Sequence, residues 1–537
     1  MQHLTTASYH RPSKTQAAAD AIPVVYNGEY HVFHLATPPN TIHHPPRLRS
    51  TWSHMRSKDL VSWTRDPEPA LTPGDSKDAL DTDGTWTGSA VEGPDELLHI
   101  FYTGYNLSHG GRQVIIEAVA TDKACTSFIP STEPIKVVNN GVSTFEDIDF
   151  RDAYVFYNDL ESCYWMLVAT RLRSGPYWTR GCIALLTSPD LSSWTVEEIP
   201  LFSPNDMFCP ECPELFELSG KWYLVYSRFA APDAGTVYRV ADSPRGPFRK
   251  ISGVDCKFDG RRWYAAKSCP KIGEEDKRVF FGWIGDKCHE DGKWLWGGHM
   301  ALPREVSAAP NGALVIKPCL EALTAAFPTE GQKTVEGAGI LESFGATKTK
   351  FLDDAFPTSY VLRVTLTSTN APSFGLLFRT NLDLAGYALK FKRVGHTFSV
   401  ILAQTPAPLD DFWADQYRLY LPRNVDGPEL VRHDGLVLEE GRVEVQVLVV
   451  GETVEFFVDG KVVLSYRVQV EERAADGTTI GLIPDEDSGM DSDGDVAARQ
   501  NVDEQADTER SGVKEFGLFL EDGTLCYSDF VVMPAKA

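Results

Sequence analysis

One pattern is written five times across the first half of the chain: an extended segment, a tight polar turn, then an apolar and aromatic strand. The second strands fall at 30–34, 98–102, 164–168, 222–226 and 278–282. Aligning Phe33, Phe101, Leu167, Val225 and Phe281 gives spacings of 68, 66, 58 and 56 residues. The intervening Asn27-Gly28, 93–96, 158–162, 219–221 and 273–277 have the compositions of hairpin turns. A third element also recurs: S-K-D-L-V-S-W at 57–63 matches S-P-D-L-S-S-W at 188–194, with looser versions at 121–123 and 242–248. Shared strand propensity does not reproduce a specific heptapeptide, so an irregular sandwich of unrelated strands is the weaker reading. Repeats of this length, holding about four strands each, mark propeller blades. The expectation is a five-bladed β-propeller over 1–320.

Beyond Cys319 the texture changes. Residues 321–345, with Pro328, Gly331, Gly337 and Gly339 around a short helical segment, read as a linker. Strands return from Tyr360, with period-two alternation at 443–449 and a hairpin turning at Asp459-Gly460. No repeat relates these strands, so 346–537 is expected to form a β-sandwich, and the chain as a whole to be all-β. The stretch 485–510 holds ten acidic residues and two arginines and is expected as a disordered surface loop. Asp491, Asp493 and Asp495 have calcium-loop spacing, but Gly494 is misplaced and Val502 stands where the closing Glu belongs.

Charge narrows the partners. The 537 residues carry 75 Asp plus Glu against 51 Lys plus Arg, a net charge of −24. Such a surface repels phosphate backbones and anionic lipid, which argues against nucleic acid and membranes. A neutral small molecule or oligosaccharide meets no such penalty. No stretch has the ~18 apolar residues of a membrane span, and 1–20 has no apolar core for a signal peptide. Ten cysteines over this length are sparse and irregular. Cys209 and Cys212 have no second C-x-x-C pair to complete a zinc site. A cytoplasmic chain with buried thiols is expected, in which the sequon at Asn106 carries no glycan. His43-His44 and His99 read as structural rather than as metal ligands.

In a propeller the first strand of each blade lines the central channel, so its start faces a common funnel. A first strand ahead of each hairpin sets Asp20, Trp86, Asp152, Glu211 and Tyr264 at equivalent positions, 66, 66, 59 and 53 residues apart. Three carboxylates and two aromatics then converge on one pocket. That set suits a sugar. Cleaving a glycosidic bond takes one carboxyl group held protonated for the leaving oxygen, and a second, ionised one to attack the anomeric carbon or activate water. A third can grip ring hydroxyls, and aromatic faces pack on the sugar's C–H surface. Taken singly, each has a plainer reading: Asp20 as a turn residue, Asp152 as an ion-pair partner of Arg151, Glu211 as a strand-edge charge.

These residues lie in stretches that together resemble glycoside hydrolase family 32, the invertases, inulinases, levanases and related fructosyltransferases. The stretches are D-A-I-P-V-V-Y-N-G-E-Y-H-V-F at 20–33, W-T-G-S at 86–89, F-R-D-A-Y at 150–154 and E-C-P-E-L-F at 211–216. Y-A-A-K at 264–267, F-G-W-I at 281–284 and L-P-R-E at 302–305 add to the match. The resemblance runs from about Tyr9 to Pro318 and implies a propeller followed by the family's C-terminal sandwich. It implies that Asp20 is the nucleophile, Glu211 the acid/base, and Asp152 the residue that stabilises the transition state by holding sugar hydroxyls. Trp52, Trp86, Ser89, Arg151 and Tyr264 would shape the pocket. The implied reaction is a retaining double displacement on a terminal β-fructofuranoside or a related furanoside, with no metal or organic cofactor.

The departures are local. The family's W-M-N-D-P-N-G is A-A-A-D-A-I-P at 17–23, the R-D-P proline is Ala153, and Leu35 stands where a glutamine usually follows the first blade's aromatic strand. All three carboxylates stay while several sugar-positioning neighbours are gone, which predicts a reshaped substrate pocket. Two rival readings stay open: an inverting furanosidase of the arabinanase or xylosidase type, and a catalytically silent carbohydrate-binding propeller, which Ala21 and Ala153 keep alive.

Overall fold

The hairpins close as their turn residues dictate. Asn27 and Gly28 take φ of 50° and 74° between the paired residues Tyr26 and Glu29. Ser219 and Gly220 take 51° and 77° between Leu218 and Lys221. Positive φ at both central positions matches the right-handed twist of the flanking strands. The fifth hairpin differs from expectation. Its second strand resumes at Glu274, directly after Ile272-Gly273, rather than at Arg278. Glu274 pairs with Lys271 and Lys277, each at 2.7 Å, so a charged strand start looks like loop composition.

The computed structural model describes residues 2–4, 10–41, 48–139, 141–230, 234–288, 293–352, 355–381, 384–406, 426–468 and 513–536. Tyr9, His43-His44, the acidic stretch 485–510 and its calcium-like Asp491, Asp493 and Asp495 lie outside them. The first unit runs Ala18–Tyr26, Glu29–Ala36, Thr51–Ser57 and Trp63–Arg65, each strand antiparallel to the next. The second comprises Gly84–Glu92, Leu98–Tyr105, Gln113–Ala120 and Phe128–Pro130. The third comprises Phe145–Asn158, Cys163–Leu172, Gly181–Ser188 and Trp194–Val196. Glu211–Leu218, Lys221–Arg228 and Gly235–Ala241 make the fourth. The fifth begins with Trp263–Lys271 and Glu274–Lys287.

The repeated heptapeptide is a turn with a mechanism. Asp59 accepts from the N–H groups of Val61 and Ser62, Leu60 takes φ 62°, and the Trp63 indole donates to the Leu60 carbonyl. Asp190 accepts from Ser192 N–H, and Leu191 takes φ 68°. An Asp that caps its own backbone tolerates the left-handed residue that follows. Each turn returns a tryptophan, Trp63 or Trp194, to full burial.

The five first strands pack in a cycle: each lies against the first strand of the next unit, and Trp263–Lys271 lies against Ala18–Tyr26. Trp294–Met300 seals the seam by pairing with Glu274–Lys287 on one side and, through Gly298, with Ala18 on the other. Beyond Pro318 a short helix, Leu320–Ala326, leads to two sheets, of seven and six strands. Both contribute inward side chains to one core, among them Val364, Val447 and Phe456 from one sheet and Phe374, Phe391 and Phe516 from the other. Period-two alternation puts those residues on one face of each strand. Lys333–Glu336 and Gly339–Ser343, expected as linker, are strands paired with Gly523–Pro534. Their glycines and charges are those of a sheet edge. No described helix is long and apolar enough to cross a membrane.

Arg304 joins the two halves. It is fully buried, donates to Asp259 and Glu455 at 2.7 Å each and to the Ser465 hydroxyl at 2.8 Å, and stacks 3.8 Å from the Trp263 ring centre. Removing one partner of a buried ion pair typically costs about 3–5 kcal/mol. Arg304→Ala should therefore lower the unfolding free energy read from urea denaturation by an amount of that order. A change below about 1 kcal/mol would show the cluster to be dispensable.

Candidate active site

In all five first strands the pairing with the second strand slips by one residue near the start. Asp20 is left unpaired in the first unit and Thr87 in the second. Asp152-Ala153, Cys212-Pro213 and Ala265-Ala266 each stand opposite a single residue in the others. A bulge of this kind re-aims a side chain and increases local twist. Asp152, Cys212 and Ala265 take φ of 57°, 51° and 48°, a conformation held only where surrounding structure enforces it.

The bulges correct the register read from the hairpins. The last paired residues before the slip are Ala19, Trp86, Arg151, Glu211 and Tyr264. Asp20 and Asp152 thus stand one position further along than Trp86, Glu211 and Tyr264. Spacing between hairpins cannot reveal an inserted residue.

Two linked layers result. In the first, Arg151 donates to Glu211 Oε1 at 3.0 Å and to Asp149 Oδ1 at 2.9 Å, and its Nε lies 3.7 Å from Asp152 Oδ2. The Tyr264 hydroxyl donates to Glu211 Oε2 at 2.6 Å. In the second, Asp20 accepts from the Thr87 hydroxyl at 2.7 Å and from the Trp283 indole at 2.9 Å. Cys212 ties the layers together. Its N–H donates to Asp152 Oδ2 at 2.9 Å, and its Sγ lies 3.8 Å from Asp20 Oδ2. Arg151 therefore joins Glu211 to Asp152, and Cys212 joins Asp152 to Asp20, although 191 residues separate Asp20 from Glu211.

The other expected residues divide. Arg151 and Tyr264 bond directly to the carboxylates, as above. Trp86 is half-buried and stacks on Tyr105, ring centres 4.1 Å apart. Trp52 is fully buried behind it and donates to its carbonyl at 3.2 Å. Ser89 is also buried and accepts from Val155 N–H at 2.8 Å, stitching the second unit to the third. Trp52 and Ser89 thus support the wall from behind. Thr87, Cys212, Trp283 and Asp149 join the site without having been expected there. The first three lie inside the W-T-G-S, E-C-P and F-G-W-I stretches. Asp149 precedes Arg151 by two and so shares its strand face. Ala18, Ala19, Ala21 and Leu35, around Asp20 in sequence and strand pairing, are buried in the hydrophobic core.

Burial raises Asp20 above the ordinary carboxylate value; the Thr87 and Trp283 hydrogen bonds pull it down, and Glu211 adds to the rise. Burial lifts Asp152 to about 6, with Arg151 opposing and Glu211 reinforcing the shift. Burial opposes the Arg151 charge, yet the surrounding acidic groups hold it well above the usual guanidinium range. Burial, then Glu211, keeps Tyr264 a hydrogen-bond donor, and burial beside Asp20 and Asp152 keeps Cys212 a thiol. All ten cysteines are free, and Cys209 lies 3.8 Å from the Thr170 carbonyl. His99 bonds to Glu117 and Asp95 at 2.7 and 2.9 Å.

The model of the glycosyl hydrolases family 32 N-terminal domain matches residues 17–318. The chain belongs to glycosyl hydrolase family 32. Membership makes it a glycosidase, and the matched span contains all three carboxylates. Its family relatives include the beta-fructofuranosidase insoluble isoenzyme CWINV2 of Arabidopsis thaliana, 25% identical over 86% of this chain and 85% of the relative. Sucrose-6-phosphate hydrolase of Escherichia coli is 25% identical over 83% and 86%. Fructan 1-exohydrolase IIa of Cichorium intybus superposes with a TM-score of 0.69 over 99% of this chain and 97% of that one, at 16% identity, a likeness of fold.

The raised value at Asp152 carries a sign for stability. Its folded value of about 6 lies above the ordinary carboxylate value of 3.8, so ionisation inside the fold opposes folding at neutral pH. Asp152→Asn should raise Tm at pH 7 by a few degrees. The gain should shrink as pH falls through about 6 and vanish below the ordinary carboxylate value, where both forms are neutral. Thermal melts between pH 3.5 and 7.5 check this; a gain independent of pH would contradict it.

Proposed function

We propose that the chain hydrolyses terminal β-fructofuranosides or closely related furanosides by a retaining double displacement. The reaction takes place at the mouth of a five-bladed β-propeller formed by 1–320. Beyond it, the stretch 321–345 leads to a β-sandwich over 346–537 and already contributes two of its strands, Lys333–Glu336 and Gly339–Ser343. The observation that carries this reading is the gathering of Asp20, Asp152 and Glu211 around Arg151 and Cys212. Supporting it, the relatives named beta-fructofuranosidase, levanase and sucrose-6-phosphate hydrolase align with 86%, 61% and 83% of the chain. The cycle of first strands supports the propeller.

In the first step Asp20 attacks the anomeric carbon as Glu211 gives its proton to the departing oxygen. In the second, ionised Glu211 takes a proton from water, and the hydroxide oxygen displaces Asp20 from the anomeric carbon. Thr87 and Trp283 fix the Asp20 oxygens, while Arg151 and Tyr264 fix those of Glu211. Asp152, held by Cys212 N–H and Arg151, faces the ring hydroxyls as an acceptor.

Asp20→Asn and Glu211→Gln should each lower kcat by about 10²–10⁴ or more. With the β-fructofuranosides sucrose, inulin and levan supplied in aqueous methanol, the methyl fructofuranoside formed should keep the β configuration. The α product would refute retention, and turnover confined to pentofuranosyl oligosaccharides, supplied in parallel, would refute the fructoside reading.

Asp20 must be ionised to attack, so kcat/KM falls as pH drops through its raised value. Thr87→Val removes a hydrogen bond that lowers that value. The acid limb of the kcat/KM profile should therefore move to higher pH; an unmoved limb with reduced kcat would assign that limb to another group.

A further inference from the structure

Four aromatic side chains form a patch on the rim of the third and fourth units. Trp178 is 71% exposed, Tyr177 52% and Phe229 46%, and Phe208 is half-buried between them. Ring centres lie 5.1 Å apart for Tyr177 and Trp178, 5.5 Å for Trp178 and Phe208, and 6.0 Å for Phe208 and Phe229. Tyr177 and Phe208 also hold the Arg171 guanidinium between them, at 4.3 and 3.9 Å from their ring centres. An exposed cluster of large aromatics marks a recognition site.

The strand register sets its place. Arg151 pairs opposite Ala169, so the segment after Leu172, which carries Tyr177 and Trp178, overhangs the Asp152 end of the sheet. Glu211 pairs opposite Ser227, so Phe229 lies just past it, and Phe208 precedes Glu211 by three residues. An ion-pair relay joins patch and pocket: Arg171 to Asp149 at 3.3 Å, Asp149 to Arg151 at 2.9 Å, Arg151 to Glu211 at 3.0 Å. The rim therefore continues the pocket on the side of Glu211, the group that protonates the leaving oxygen.

We propose that Tyr177, Trp178, Phe208 and Phe229 form a leaving-group platform for an uncharged oligosaccharide of three or more sugar units, which stacks its second and later units beyond the cleaved bond on these rings. The assignment of the leaving-group side rests on the role proposed for Glu211. Arg171 stiffens the platform from below, which limits the freedom lost when a flexible glycan settles on it. The substrate class follows: the chain favours oligosaccharides over disaccharides.

Two measurements on the full-length chain test this. The first compares kcat/KM for sucrose with that for inulin-type tri-, tetra- and pentasaccharides. In the parent protein it should rise with length, and in Trp178→Ala and Phe229→Ala the tetrasaccharide-to-disaccharide ratio should fall about tenfold. Leu160→Ala, a control at an exposed residue in the hairpin at the opposite end of the third unit, should keep the parent ratio. A ratio unaltered in both rim variants would overturn the proposal. The second measures binding of the same sugars by calorimetry in Glu211→Gln, with and without Trp178→Ala. Length-dependent binding that Trp178→Ala abolishes, in a chain that turns over no furanoside, would sink the reaction and keep the platform. Binding that does not depend on length would sink the platform and leave the reaction intact.

Discussion

The Arg151 guanidinium spans Asp149, Asp152 and Glu211, and the pocket depends on that span. Buried carboxylates that close together repel one another, and each has given up hydration. A planar, permanently charged fork can touch several of them at once, which a lysine cannot. The cation makes the cluster tolerable without neutralising it, since Asp152 still sits near 6. Asp20 lies outside the reach of that fork and depends on neutral donors, Thr87 and Trp283. One carboxylate group is thus held by charge and another by dipoles, which is how similar side chains acquire different duties.

The second determinant is the bulge repeated in every first strand. Regular pairing would turn neighbouring side chains to opposite faces of the sheet. The extra residue lets two consecutive positions contribute to one site: Arg151 with Asp152, and Glu211 with Cys212. The left-handed backbone at Asp152 and Cys212 is the local expense of that geometry. Buried hydrogen bonds from Cys212 N–H to Asp152 and from Asp152 N–H to Thr103 hold it in place.

Much of this could be read from the chain alone, for identifiable reasons. Turns such as Asn27-Gly28 and Asp459-Gly460 fix hairpins through backbone conformations few residues adopt, and Asp59 and Asp190 write a recognisable cap. Their recurrence exposed the five units, and the units exposed Asp20, Asp152 and Glu211. What stayed hidden was the inserted residue, because a bulge leaves no mark in hydrophobic alternation. Trp52 and Ser89 were understood by type but not by depth, since a buried indole and a buried hydroxyl look the same in sequence as exposed ones. Glu274 and Lys277 passed for loop because their strand character rests on ion pairs with Lys271 and Glu305. Lys333–Glu336 and Gly339–Ser343 passed for linker because their partner, Gly523–Pro534, lies almost two hundred residues away.

Arg304 also bears on how such a molecule can be taken apart. It lies over Trp263, whose neighbour Tyr264 bonds to Glu211, and its counter-charges come from both halves, Asp259 from one and Glu455 from the other. The C-terminal sheets are therefore no detachable appendage. Swapping them for those of a cousin would strand a charge inside an apolar seam unless the matching acid travelled along, so the two parts must be inherited as a set.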